Sequence, residues 1–463
     1  MPDILLAHGY FLYEDPKELQ IMKPYAPLGI LYLCSHLQAK GFEVEVFDTT
    51  FSSRDALIAR LHTGTPSVLG IYANLMTRSN VVALLAIARE AGWQTIVGGP
   101  EPGAYAQEYL DAGAQYVVLG EGENTLEELL RALQSTAPNI ASVAGIAYLE
   151  DGHIRQTAPR AQIACLDDQP WPARRAIDIH RYVKTWRDAH GKGSVNFITA
   201  RGCAYRCRWC SHQVYGQTHR RRNPLLVVDE VEWLLEEYSP DMVWVSDDVF
   251  TIHHDWLRKY AAEMRRRGLH IPFECISRAD RLNDEMMDIL AELGCFRVWI
   301  GSESGSQRIL DSMDRGVKLE QVQRAVELSR NHGIQSGMFL MWGYEGEEIE
   351  DIEATVRHVS KSQPDIFFTT VSYPIKGTPY YQKVQDRLVQ LAPWGQSSDR
   401  EIKIRGRHSR RFYSFADKLL RSEVQLAKLS GAAALDDFEA SRLRVEISET
   451  RASMLAAAAE VEA

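Results

Sequence analysis

The sequence predicts an α/β protein: an amino-terminal Rossmann-like domain, a partial (β/α)6 barrel and a mainly helical carboxyl-terminal region. Three observations carry this reading. Over roughly the first 135 residues, short β-branched runs alternate with amphipathic segments, the pattern of a doubly wound parallel sheet. A second alternating series begins near Val195 and offers six strand candidates, and beyond about residue 386 the strand signal fades into helical pattern. A chain of 463 residues is expected to hold two or three domains. The boundaries are placed at 1–140 for the first domain, 141–190 for a connector, 191–385 for the barrel and 386–463 for the helical region.

In the first domain, strands are expected at 4–7, 43–47, 68–72, 95–97 and 116–119, with helices near 28–40, 54–62, 80–92, 104–112 and 125–134. Ligands of such sheets bind beyond the carboxyl ends of the strands. Those ends carry His8-Gly9-Tyr10, Ala73-Asn74-Leu75, Gly98-Gly99-Pro100 and Gly120-Glu121-Gly122-Glu123, where glycine lets backbone approach a ligand closely. The connector reads as a hairpin turning at Asp151-Gly152, then the loop-like Asp167-Asp168-Gln169-Pro170-Trp171-Pro172. Barrel strands are expected at 195–200, 242–246, 273–276, 298–301, 337–341 and 366–371, with helices near 225–238, 254–267, 283–293, 319–332 and 347–361. The last region carries an amphipathic stretch at 412–428 and an Ala/Glu-rich end, Ala456-Ala457-Ala458-Ala459-Glu460, of the kind that frays.

Hydrophobic residues make up 45% and charged residues 25% of the chain, an ordinary globular balance. No uninterrupted apolar stretch approaches the roughly 18 residues of a membrane span, so a cytoplasmic protein without a transmembrane segment is expected. With 52 basic and 62 acidic residues, a net charge of −10 argues against a nucleic-acid partner, which demands a basic face. Two basic clusters run against that balance, at 219–222 and 403–411. They read as solvated surface, with phosphate or carboxylate binding as the alternative.

The run Arg201-Gly202-Cys203-Ala204-Tyr205-Arg206-Cys207-Arg208-Trp209-Cys210 spaces three cysteines C-x3-C-x2-C. Three thiolates this close can hold an iron-sulfur cluster by three of its four irons and leave the fourth open. They also suit zinc, with His212 as a fourth ligand. The position of the loop, directly after the first barrel strand, favours the cluster, because barrel chemistry sits at the carboxyl ends of strands. A disulfide framework is disfavoured by the odd count of seven cysteines and by the lack of a signal-peptide pattern at the start of this sequence. Cys34, Cys165, Cys275 and Cys295 read as small core residues.

Other strand ends carry polar groups. Ser246-Asp247-Asp248 follows the second barrel strand and reads either as a helix cap or as a holder of an amino group. Arg278 follows the third and suits a carboxylate or ribose, or a structural ion pair. Gly301-Ser302-Glu303-Ser304-Gly305 ends the fourth, where Glu303 either meets a ligand or orders the loop. Trp342-Gly343-Tyr344-Glu345-Gly346 follows the fifth, as an adenine contact or a simple turn.

The cysteine spacing, Trp209 before the third cysteine, and the order of these strand ends as far as Tyr373-Pro374-Ile375-Lys376-Gly377-Thr378-Pro379 together resemble the radical S-adenosylmethionine (SAM) enzymes. The resemblance implies a 4Fe-4S cluster on Cys203, Cys207 and Cys210, whose open iron binds SAM and cleaves it to a 5'-deoxyadenosyl radical. It implies SAM contacts at Ser246, Asp247, Asp248, Arg278 and Glu303. Pro27-Leu28-Gly29-Ile30-Leu31-Tyr32-Leu33, Val97-Gly98-Gly99-Pro100 and Gly120-Glu121-Gly122-Glu123 resemble the cobalamin-binding domain of the cobalamin-dependent class of the family. Cobalamin contacts are then implied at Leu28, Gly29, Gly98, Gly99, Gly120 and Glu121. The Asp-x-His-x-x-Gly motif that supplies a lower cobalt ligand in many cobalamin proteins is absent. Asp151-Gly152-His153 lacks the later glycine and is expected outside the sheet, and His8 reads as a plain strand-end histidine.

The activity implied is that of a class B radical SAM methyltransferase acting on an unactivated carbon through a 5'-deoxyadenosyl radical and methylcobalamin. Two alternatives stay open: a cyclase or rearrangement enzyme with the same cofactors, and a non-catalytic cobalamin or cluster carrier. The expected partners are a small-molecule, lipid or porphyrin-like substrate and an external electron donor such as flavodoxin or ferredoxin. The residues themselves assign no catalytic side chain.

Overall fold

The computed structural model describes residues 2–430 and 437–462. By contacts the chain divides into two compact units, one of residues 1–204, 211–244 and 392–398, the other of residues 205–210, 245–391 and 399–463.

The first unit is built on a seven-stranded sheet. Ile4–His8 (β1), Val44–Phe47 (β2), Val68–Tyr72 (β3), Gln94–Gly98 (β4), Tyr116–Val118 (β5), Ile146–Glu150 (β6) and His153–Gln156 (β7) lie in the order β2-β1-β3-β4-β5-β6-β7. The first five strands pair in parallel. β1 from Ile4 to Ala7 and β3 from Val68 to Ile71 are apolar and buried because both their faces are covered. Alternate residues feed opposite cores: Leu5, Leu69, Ile71 and Val97 pack with Leu84 and Leu85, whereas Ile4, Leu6 and Ile96 pack with Leu37 and Leu129.

Two expectations for the connector are corrected. Its hairpin is part of the sheet, since β6 pairs antiparallel with β5 and with β7. His153, expected outside the sheet, therefore begins its edge strand. The turn works because Asp151 (φ 50°) and Gly152 (φ 79°) both adopt the left-handed conformation that a tight hairpin demands. Pairing also removes the exposed edge that β5 would otherwise present. The connector further contains the helix Ile179–His190, started by the Asp178 side chain accepting from Arg181 N at 3.1 Å and ended at Gly191 (φ 73°).

The expected first barrel strand is split. Ser194–Phe197 (β8) is followed by Ala200–Arg201 (β9), which pairs antiparallel with Arg220–Arg221 (β10) and closes the base of the cysteine loop. Met242–Val245 (β11), Phe273–Ser277 (β12), Cys295–Glu303 (β13), Gln335–Trp342 (β14) and Ile366–Val371 (β15) join β8 in a six-stranded sheet, ordered β8-β11-β12-β13-β14-β15. This is the partial (β/α)6 barrel. β13 extends beyond the expected 298–301 and carries a register shift between Gly301 and Glu303. A six-residue helix, Gln307–Ser312, follows it and is too short to leave a periodic signal in the sequence.

Helices Arg410–Ser430 and Asp437–Ala457 form the carboxyl-terminal region, burying Leu419, Leu420 and Val424 on one and Leu443 and Ile447 on the other. Residues 431–436 of the expected helical region lie outside the described residues. The Ala/Glu-rich end is tied down: Glu460 pairs with Arg411 at 2.9 Å, and Glu462 accepts from Ile404 N at 2.7 Å and pairs with Arg407 at 2.8 Å. The two basic clusters thus contribute anchors as well as surface, because Arg220 and Arg222 are likewise paired inside the first unit, with Glu121 and Glu230. Cys34, Cys275 and Cys295 are core residues as expected, but Cys165 is exposed. Among the described residues, no helix is long and apolar enough to cross a membrane.

Candidate active site

In the second unit, the segment 205–210 is fixed by backbone bonds: Arg208 N donates to Met313 O at 3.0 Å, and Tyr380 N donates to Arg208 O at 2.9 Å. Trp209 packs against the apolar group of Ile309, Leu310, Met313, Tyr344 and Tyr380. Cys210 N donates to Cys207 O at 3.1 Å, turning the chain between the second and third cysteines. Cys207 is buried, yet its thiol is lowered to about 6 by a hydrogen bond with the Cys210 thiol and by the charges of Arg315 and Arg278. A thiolate is the form that binds iron.

The arginines converge at the ends of β12 and β13. Arg315 Nη1 lies 3.9 Å from Cys207 Sγ, Nη2 donates to Gly301 O at 2.9 Å, and Nε lies 3.8 Å from Glu303 Oε1. Arg278 Nε donates to Asp280 at 2.8 Å and Nη2 to Arg315 O at 2.9 Å, while its guanidinium covers the Tyr205 ring at 3.5 Å. Glu303 has a positive φ of 62°, a conformation costing about 1–3 kcal/mol in a residue other than glycine and one that collects at functional sites. Burial raises its carboxyl to about 7 against the pull of Arg315.

Of the residues expected to touch SAM, the structure thus gathers Arg278 and Glu303 beside Cys207. Asp247 is buried, and its charge helps to raise the Cys275 thiol; Ser246 is half-buried and Asp248 exposed. Arg315 and Tyr205 were not singled out from sequence. Arg315 stands between two left-handed residues, Asp314 (φ 54°) and Gly316 (φ 61°), so the Asp-Arg-Gly turn was its only local trace.

After the fifth barrel strand, Gly343 N donates to Glu347 Oε2 at 2.5 Å, while Glu347 Oε1, Trp342 Nε1 and Tyr344 OH are buried without a hydrogen-bond partner. Burial raises Glu347 from 4.5 to about 8. The folded protein therefore keeps its proton while the unfolded chain loses it, so this contribution to stability is complete below about pH 4.5 and is lost as pH rises towards about 8. Urea denaturation across this range is expected to show Glu347→Gln with a flatter pH profile and a relative gain at pH 8; an unchanged slope would count against the assignment.

In the first unit, the candidate cofactor residues border the carboxyl ends of β3, β4 and β5. Leu28 is buried and starts the helix Leu28–Ala39, and a Cβ on Gly29 would stand 3.9 Å from the Tyr72 ring. Gly98 ends β4, and Gly99 (φ 125°) lies so close to Ala73 that a Cβ would stand 2.3 Å from its carbonyl oxygen. Gly120 (φ 84°) turns the chain after β5. The Glu121 carboxylate is fully engaged by Arg201, Arg220 and Ile163 N, leaving backbone to face a ligand at this turn. Both ring nitrogens of His8 are also occupied, Nδ1 by Thr49 at 2.7 Å and Nε2 by Asp48 at 3.3 Å. His8 is thus a structural histidine.

The polar groups beside Cys207 suit an anion such as the SAM carboxylate. Among the described residues, Arg278 Nη1 is buried without a hydrogen-bond partner and Arg315 Nε has only the Glu303 carboxylate at 3.8 Å, so an anion beside Cys207 would satisfy both donors. The close backbone approach at these strand ends is to the protein itself, most tightly between Gly99 and Ala73.

A radical SAM superfamily profile matches residues 197–359, and a B12 binding domain profile matches residues 21–130. The chain thus carries a radical SAM domain and a B12-binding domain. This radical SAM protein is 29% identical over 384 residues to an uncharacterized methyltransferase of Pyrococcus horikoshii, covering 80% of each chain. It is 26% identical over 383 residues to the anaerobic magnesium-protoporphyrin IX monomethyl ester cyclase of Rubrivivax gelatinosus, covering 80% of this chain and 68% of the cyclase. Its fold is similar to that of the radical SAM methyltransferase TsrM of Kitasatospora setae, solved with cobalamin and a [4Fe-4S] cluster bound. The TM-score is 0.68 at 22% identity, covering 85% of this chain and 76% of that one.

Proposed function

We propose that this cobalamin-dependent radical SAM protein is a methyltransferase acting on an unactivated carbon. The observation that carries this reading is the likeness, over four-fifths of both chains, to the uncharacterized methyltransferase of Pyrococcus horikoshii. Cys203, Cys207 and Cys210 would hold a [4Fe-4S] cluster, and the strand ends at Leu28-Gly29, Gly98-Gly99 and Gly120 would hold cobalamin. When bound, the cluster supplies the electron that cleaves SAM, and cobalamin supplies the methyl group.

The chain's own residues bind and orient. Arg278 and Arg315 keep positive charge beside the Cys207 thiolate, which offsets the cluster's negative charge and leaves donors for the SAM carboxylate. Glu303, buried beside Arg315, would receive the SAM amino group. Ser246, Asp247 and Asp248 are assigned to the same end of SAM. An external single-electron donor completes the cycle.

The likeness to the Rubrivivax cyclase favours one second reading, ring closure on a porphyrin-type substrate without net methylation. Anaerobically reconstituted protein supplied with SAM labelled in its methyl carbon, a reductant and candidate flat or apolar acceptors separates the two. A product carrying the labelled carbon is expected. Turnover with deoxyadenosine formed and no label in the product would replace the methyltransferase reading with the cyclase one.

A further inference from the structure

Two residues before Cys203, the Arg201 guanidinium meets four groups of the first unit. Nη1 donates to Glu121 Oε1 at 2.9 Å and Nη2 to Glu123 Oε1 at 2.6 Å. The Tyr32 and Tyr215 rings lie 5.2 and 5.8 Å from its central carbon. The other oxygen of Glu121 accepts from Arg220 Nη1 at 2.7 Å and from Ile163 N at 2.9 Å. Arg201 and Arg220 stand opposite each other in the β9–β10 ribbon, so one carboxylate grips both legs of the cysteine loop.

The Arg201, Glu121 and Glu123 side chains are only 4–6% exposed, and the two arginines balance the two glutamates. Such a cluster tolerates little slack, because any arm that lets go leaves an unpaired buried charge. The arms also report on the right places. Glu121 and Glu123 belong to the glycine turn after β5, and Tyr32 lies on the helix that begins at Leu28-Gly29. These are the segments assigned above to cobalamin.

We infer that Arg201 is a positioning residue that couples the ligand state of the first sheet to the cysteine loop, so that cobalamin binding alters the surroundings of the cluster. Lysine keeps the charge but is a point donor that cannot bridge two carboxylates as a guanidinium does. This inference rests on the cofactor assignment under Proposed function.

The test is the electron paramagnetic resonance signal of the reduced cluster, recorded with and without hydroxocobalamin in the full chain. In the natural protein, cobalamin loading is expected to shift the signal. In Arg201→Lys the iron content and cobalamin uptake are expected to persist while at least half of that shift is lost. A natural protein without the shift, or an Arg201→Lys protein that reproduces it in full, overturns the inference. If Arg201→Lys fails to fold, judged by circular dichroism and melting, Glu123→Gln replaces it, since it weakens one arm only; an undiminished shift there overturns the inference equally. Natural protein that takes up no cluster or no cobalamin is a separate result, which removes the cofactor assignment itself.

Discussion

Replacing Cys207 with alanine is expected to abolish the iron-sulfur absorption of reconstituted protein and to lower SAM cleavage by at least 100-fold. Cys207 is the buried one of the three clustered cysteines and the one whose thiol is lowered to about 6, by the Cys210 thiol and by Arg315 and Arg278. Near pH 7 it is therefore mostly thiolate before any iron arrives, the form that binds a metal. The variant removes a cluster ligand and also leaves Arg315 Nη1 without the sulfur 3.9 Å away. Cys203→Ala and Cys210→Ala are expected to lose the cluster too. Iron and sulfide analysis with a deoxyadenosine assay decides the matter; a Cys207→Ala protein that keeps both the cluster and the cleavage activity would defeat the site assignment, and with it the Proposed function.

Gly99→Val is expected to produce the largest loss of stability in the first unit, about 2–6 kcal/mol in urea denaturation, and to abolish cobalamin uptake. Two costs add. At φ 125° the backbone suits glycine alone, a strain of about 1–3 kcal/mol for any other residue. A Cβ would also stand 2.3 Å from the Ala73 carbonyl oxygen, and because the obstacle is backbone it cannot swing aside, adding about 1–3 kcal/mol of overpacking. Gly152→Ala is the control: its φ is 79°, but nothing lies within 4 Å of the new methyl group, so only the conformational cost applies. A Gly99 variant no less stable than Gly152→Ala would show that the close approach to Ala73 is not structural.

Much of this architecture is written in local pattern. Short runs rich in β-branched and aromatic residues, such as Val68–Tyr72 in the middle of its sheet and Ile366–Val371 at the edge of the other, were legible with their bounds because such side chains fit a pleated surface. The three cysteines were legible as a candidate cluster site from their C-x3-C-x2-C spacing alone. Arg315 was not: it sits after a six-residue helix, 108 positions from the thiol it faces, and no local periodicity reports so distant a partner. Arg220 and Arg222 read as surface for the same reason, since their partners Glu121 and Glu230 lie elsewhere in the sequence.

The two strand-helix series, the cysteine spacing and the glycine-rich strand ends follow from backbone periodicity and short-range chemistry, and are read directly from the residues. Which charges meet is settled by folding. It turned Glu121 from a candidate ligand contact into the clamp on both legs of the cysteine loop, and it set Arg315 beside Cys207 and Glu303. The reason is physical: a buried charge must find an opposite partner, and folding lets that partner come from any distance along the chain.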